Sequence, residues 1–195
     1  MTTIEAAIAY IEQLFQNNAG GHDAAHTLRV YQNALRIAQS EPDCDLEIVS
    51  LAALLHDADD HKLFHTENNA NARSFLEEHK VKKIEEIITA INSVSFSQNR
   101  GKRPGTLEGK IVQDADRLDA IGAVGIARTF AFGGEHGRNL DSSIQHFHDK
   151  LLLLKDEMNT AAARRLAEER HTYMIGFLEE YAKEIDGNSE GSKWK

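Results

Sequence analysis

Apolar residues along this chain recur three or four positions apart and almost nowhere alternate as they would on a strand. Ile4, Ile8, Ile11 and Phe15 share one helical face, and Thr2 with Glu5 ahead of them fits a capping box. "NNAGG" at 17–21 ends that helix. A second helix begins near Asp23, carries Leu28, Leu35 and Ala38 inward, and stops at "SEPDCD". Residues 46–57 are apolar nearly all round, the pattern of a central, buried helix. Beyond the polar stretch 58–66, helices are expected over about 67–79, with Phe75 and Leu76, and over 81–92, with Ile84, Ile87, Ile88 and Ile91. "SVSFSQNRGKRPGT" at 93–106 is the clearest long loop. A helix near 107–118 follows, then "AIGAVGIARTFAF", whose small residues suit close packing, and "GGEHGRN" breaks the chain again. From 142 onwards the pattern predicts two helices divided near Met158–Thr160, ahead of a frayed tail, "DGNSEGSKWK". No segment makes a convincing strand, and the expected fold class is all-α.

Composition narrows the function classes. With 195 residues, 41% hydrophobic and 27% charged, the chain can build one ordinary globular core. A net charge of −9 argues against wrapping long nucleic acid, whose phosphates demand Lys and Arg, but leaves small phosphorylated ligands open. The single cysteine, Cys44, cannot form an internal disulfide, which favours a reducing compartment. "MTTIEAAIAY" has no basic leader and an early Glu5, and no apolar run approaches a membrane span. The expectation is a cytoplasmic protein with no membrane partner. Its oligomeric state has no signal in the sequence.

The oily run "LEIVSLAALL" ends abruptly in "HDADDHK". His56 could satisfy carbonyls at a helix end, but Asp57 opposes the helix dipole there and sits where bare charge is costly. A bound cation resolves the conflict. Further ligands must come from other helices: "GHDAAHTLRV" offers His22 and His26 with Asp23 between them, and "VQDADRLDAIG" offers Asp114, Asp116 and Asp119. Asp114 and Asp116 lie about 200° apart on a helix, so only one of them can face an ion, whereas Asp116 and Asp119 share a face. His79, His146, His148 and His171 stand among charged neighbours and read as solvated.

The order His, then His-Asp, then a distant Asp in "ADRL", all on helices, resembles the HD-domain metal-dependent phosphohydrolase superfamily. The strings "GHDAAHTLRV", "AALLHDADDHK", "INSVSFS" and "VQDADRLDAIGAVGIARTFAFGG" are similar to a subgroup of small bacterial HD hydrolases, the YedJ/YpgQ-like proteins. The resemblance covers residues 20 to about 134. It implies a single HD-type helical bundle over 1–195, with extra C-terminal helices over about 142–185. It also implies four metal ligands: His26, His56, Asp57 and Asp116, with Asp114 the runner-up for the last. His22 is either a pocket residue or a plain helix-start residue, and Asp23 an N-cap that could also orient His26.

Two imidazoles and two carboxylates suit one divalent first-row ion, Mn²⁺, Fe²⁺, Co²⁺, Ni²⁺ or Zn²⁺, and the resemblance favours manganese. It also implies that Asp60, three positions past Asp57, is the general acid/base or water-orienting carboxylate. His61 stands where the family's guanosine-tetraphosphate hydrolases carry a second acid, which argues against that substrate. His61 and His65 raise the alternative of a second metal. Phosphate needs cations too: Lys62 is the first choice, with Arg29 one turn from His26, Arg117, and the loop cations Arg100, Lys102 and Arg103 behind it. Asp119 is expected to reach a ribose hydroxyl. The resulting expectation is a metal-dependent phosphohydrolase of a small phosphorylated molecule, a nucleotide, leaning towards nucleoside triphosphate pyrophosphohydrolysis. The alternative from another class is a non-catalytic nucleotide- or metal-binding sensor module.

Overall fold

Thr2 starts the first helix as its capping box requires: the Glu5 amide donates to Thr2 Oγ1 (3.2 Å) and the Thr2 amide to Glu5 Oε2 (2.7 Å). A computed structural model describes residues 1–16, 23–61, 63–95, 99 and 101–186. Among them are nine α-helices: α1 (Thr3–Leu14), α2 (Ala24–Ala38), α3 (Leu46–Leu55), α4 (Ala70–Glu78), α5 (Ile84–Asn92), α6 (Leu107–Asp119), α7 (Gly122–Glu135), α8 (Leu140–Asp149) and α9 (Ala161–Asp186). A 3₁₀ helix, Leu151–Glu157, joins the last two. The described residues contain no strand, and the fold is all-α.

The apolar run after Asp45 makes α3 the centre of the core. Every residue from Ile48 to Leu55 is buried, and α1, α2, α5 and α6 pack around them. Asp45 caps this helix by accepting from the Glu47 and Ile48 amides. Helix α2 lies against both α3 and α6, so three helices that carry candidate ligands converge.

Three expectations shift. On α2 the deepest positions are Val30, Ala34 and Ile37, while Leu28 and Leu35 are only half-buried. Facing two helices at once pulls the buried stripe onto 26, 30, 33, 34 and 37, and the two leucines flank it. Helix α7 runs on through Gly133 and Gly134 instead of breaking there. A Cβ at Gly133 would meet Ser143 Oγ at 2.6 Å, so this glycine lets α8 approach, and the break comes at Gly137 with its φ of +65°. The C-terminal segment holds three elements, not two, although Met158–Thr160 does divide it.

The turn after Asp57 is tied to the next helix. Asp59, read from the sequence as plain loop, accepts from the Asn71 and Ala72 amides at 2.9 and 3.0 Å. It supplies the cap that α4 lacks, because Asn69 is left-handed and makes no side-chain cap bond. No described helix is long and apolar enough to cross a membrane.

Candidate metal centre

Helix α3 ends at Leu55, and His56 is its C-cap. The ring Nδ1 lies 2.9 Å from the Ala53 carbonyl, which can only accept, so Nδ1 carries the proton and donates it. That leaves the Nε2 lone pair pointing inward, and this atom is buried with no hydrogen-bond partner among the described residues. The Asp23 side chain caps α2 through the His26 amide (2.6 Å) and so sets where the second imidazole enters. His26 is 2% exposed and presents its own Nε2 to the same point.

The four donors converge. Asp57 places Oδ2 at 3.4 Å from His26 Nε2 and Oδ1 at 3.4 Å from His56 Nε2. Asp116 Oδ1 stands 3.4 Å from His26 Nε2 and 3.9 Å from His56 Nε2. Ligand atoms bound about 2.1 Å from one ion sit about 3–3.5 Å from each other, which is this spacing. One donor atom each from His26, His56 and Asp57 falls within 4.8 Å of the others, and Asp116 closes the set.

The electrostatics fit a cation. Burial alone would lower the basicity of His26, yet Asp116, Asp119 and Asp57 hold its imidazolium well above the ordinary histidine range. Burial would likewise raise Asp116, and the neighbouring His26 keeps it below the usual carboxylate range instead. The pocket demands positive charge, and without an ion a proton answers that demand. Two imidazole nitrogens, that of His56 without a hydrogen-bond partner, and two carboxylates suit a divalent first-row ion.

Asp116 and Asp119 do share a face, but they address opposite edges of one imidazole. Asp119 is buried at 2% exposure and takes the His26 Nδ1 proton on Oδ2 at 2.7 Å. Arg29 grips it with Nε on Oδ1 (2.7 Å) and Nη2 on Oδ2 (3.1 Å), and Arg128 adds a bond to Oδ2. Burial works against ionising Asp119, but His26 and Arg29 outweigh it and hold the carboxyl far below its usual range. Asp119, expected to reach a ribose hydroxyl, is buried and accepts protein hydrogen bonds on both oxygens. Arg29, expected to face substrate, is committed to the same carboxylate.

Asp114 leaves the site altogether. It faces Asn159 and Thr160 at the start of α9. Arg117 turns away as well, onto the Glu157 carbonyl (2.6 Å) and carboxylate (3.2 Å). Asp60 stays close although α3 has ended: its amide donates to the Asp57 carbonyl (3.1 Å), so a tight turn replaces the expected helical one. His61 and His65 are exposed, and the described residues bring no second metal cluster together around them. Lys102 and Arg103 border a cleft of about 280 Å³ with Thr89, Asn92 and Ser93. His22, Lys62 and Arg100 lie outside the described residues. Arg128 is the residue that sequence reasoning missed. It follows Asp119 by nine positions across a non-helical turn, where periodicity carries no information.

The profile of the HD domain family matches residues 23–121, which hold all four candidate ligands and Asp119. The chain belongs to the HD domain family. The protein YpgQ of Bacillus subtilis (strain 168) is 44% identical over 189 residues, covering 91% of each chain. The crystal structure of Bacillus subtilis YpgQ in complex with ADP superposes with a TM-score of 0.81 at 38% identity, covering 94% of this chain and 98% of that one. An HD-superfamily hydrolase from Bacillus thuringiensis gives a TM-score of 0.79 at 39% identity over 94% and 96% of the two chains. HD domains bind divalent metals, in keeping with the cluster of His26, His56 and Asp57.

Proposed function

We propose that this protein is a metal-dependent phosphohydrolase of nucleotides, and specifically one that splits a nucleoside triphosphate into nucleoside monophosphate and pyrophosphate. The observation that carries the reading is the convergence of His26, His56, Asp57 and Asp116, with a further acid, Asp60, following Asp57 across a tight backbone turn. A purely structural ion has no use for that extra carboxylate. The ADP held by the related YpgQ supports a nucleotide as the ligand class, and the net charge of −9 favours a small ligand over a polymer.

A divalent ion at this site supplies Lewis-acid polarisation of a phosphoryl group and a more acidic water. The protein does the rest. His26 and His56 offer Nε2 because each Nδ1 is tied elsewhere. Asp57 and Asp116 balance the charge, and Mn²⁺ is the favoured ion. Asp60 takes the proton from the attacking water. The water oxygen bonds to the α-phosphorus, the bond to the bridging oxygen breaks, and pyrophosphate leaves.

Turnover of a nucleoside triphosphate with Mn²⁺ in ¹⁸O-labelled water tests this. Label is expected in the nucleoside monophosphate, which keeps the attacked α-phosphorus; label in the pyrophosphate would put the attack at the β-phosphorus and overturn that step. Label confined to inorganic phosphate, with monophosphates cleaved faster than triphosphates, would make the protein a phosphomonoesterase. Tight nucleotide binding with no turnover across a metal panel would leave a sensor module.

A further inference from the structure

Asp119 carries more donors than a carboxylate that merely orients a histidine needs. Oδ2 accepts from His26 Nδ1 at 2.7 Å, from Arg29 Nη2 at 3.1 Å and from Arg128 Nη1, while Oδ1 accepts from Arg29 Nε at 2.7 Å. His26 and Arg29 both belong to α2, one turn apart, so they locate Asp119 relative to that helix only. Arg128 comes from α7, and its Nη1 also lies 3.1 Å from His26 Nδ1. The imidazole edge is thereby enclosed from α2, α6 and α7 together.

Resting on the reading of a metal centre at His26, we infer that Arg128, acting through Asp119, is a positioning residue for that metal ligand. Helix α7, all of which lies beyond the matched segment 23–121, thus sets how firmly the centre holds its ion. An ionised carboxylate can only accept, so Asp119 obliges Nδ1 to keep its proton and leaves the Nε2 lone pair aimed at Asp57 and Asp116. Arg128 and Arg29 keep the carboxylate from turning away from the ring. The helix that delivers Arg128 is itself anchored. Phe130 packs on Phe147 and Phe177 with ring centroids 6.1 and 5.8 Å apart. Gly125 lies so close to the Ala120 carbonyl oxygen that a Cβ there would stand 2.2 Å from it.

A guanidinium near a cation site has two opposite possible effects, and they separate cleanly. As a bare charge it repels the ion, so its removal tightens metal binding. As a positioning group it steadies His26, so its removal weakens binding. Mn²⁺ titration of the full chain, with free Mn²⁺ followed by electron paramagnetic resonance, distinguishes them without any turnover. Asp119→Asn is expected to weaken Mn²⁺ about 10–100-fold and Arg128→Gln about 10-fold, with Arg128→Lys recovering part of the loss. In the double variant Arg128→Gln should add less than about twofold, because it acts through Asp119. Thermal melts accompany each variant. Arg128 has a partly exposed side chain, so Arg128→Gln decides the matter even if Asp119→Asn does not fold. Unchanged or tighter Mn²⁺ binding in Arg128→Gln, or losses that multiply in the double variant, would overturn the inference alone. A wild-type protein that takes up no Mn²⁺ overturns the metal-centre reading and this inference with it.

Discussion

Replacing Asp114 with alanine tests the division of labour along α6. Asp114 is fully buried and accepts four hydrogen bonds, each at 2.8 Å: from the Asn159 amide and Nδ2 on Oδ1, and from the Thr160 amide and Oγ1 on Oδ2. Thr160 in turn accepts from the Ala163 amide through Oγ1 and from the Arg164 amide through its carbonyl, so Asp114 anchors the start of the 26-residue α9. Alanine leaves two backbone amides and a hydroxyl without their acceptor. Each stranded buried donor costs about 1–3 kcal/mol, and partial relaxation should hold the total to about 3–5 kcal/mol. For a chain of this size that corresponds to a Tm drop of about 6–20 °C. Calorimetry reads the loss, and Mn²⁺ titration well below the lowered Tm should give wild-type affinity. A variant that keeps its Tm but loses Mn²⁺ would falsify this account and return Asp114 to the coordination sphere.

Asp57→Ala removes a ligand and the charge opposite both Nε2 atoms, so the purified variant should retain no metal and show no hydrolysis; normal metal content by mass spectrometry would take Asp57 out of the first coordination sphere. Asp60→Asn should keep metal content near wild type while turnover falls about 10²–10⁴-fold, since an amide cannot accept the water's proton; full activity would mean the base lies elsewhere, with His61 or His65 next. Asp45→Ala loses the α3 cap to the Glu47 and Ile48 amides and should cost about 1 kcal/mol in urea unfolding. Because Lys83 beside it holds the Asp45 carboxyl below its ordinary range, its contribution is present above that range and fades as pH falls through the depressed value; the gap between variant and wild type should therefore close on the acid side. A gap that widened in acid would contradict that pairing.

The backbone of the fold was legible because helices announce themselves within a few residues. The Thr2–Glu5 box, the all-apolar α3 and the stripe of α5 are local patterns, and each appears where periodicity puts it. The errors lie where two distant elements compete for one residue. Leu28 and Leu35 look like the natural inward pair of α2, but α2 must face α3 and α6 together, and that choice belongs to packing. Gly133 looks like a helix breaker, and only the approach of Ser143 from α8 shows why it sits inside a helix.

The same distinction separates the ligands from the residues that hold them. His56 and Asp57 are conspicuous because ionisable groups close an oily helix, where charge without a partner is expensive. Spacing alone could say only that Asp114 and Asp116 face opposite ways, not which way is inward. Resemblance favoured Asp116, and the geometry gives the physical reason: one face of α6 meets α2 and α3, the other meets the start of α9. Asp119 and Arg29 were marked only by lying one turn from Asp116 and His26, with no sign of the contact they make, and Arg128 had no mark at all. A carboxylate near the end of an amphipathic helix and an arginine among small residues are ordinary on any surface, and the contact that joins Asp119 to His26 spans 93 positions in the chain. What makes them part of the centre is that both arginines meet on the buried Asp119 carboxylate, and that meeting is a property of three helices at once. Metal ligands can be read from the penalty they would otherwise incur. The groups that aim them incur none until the helices have met.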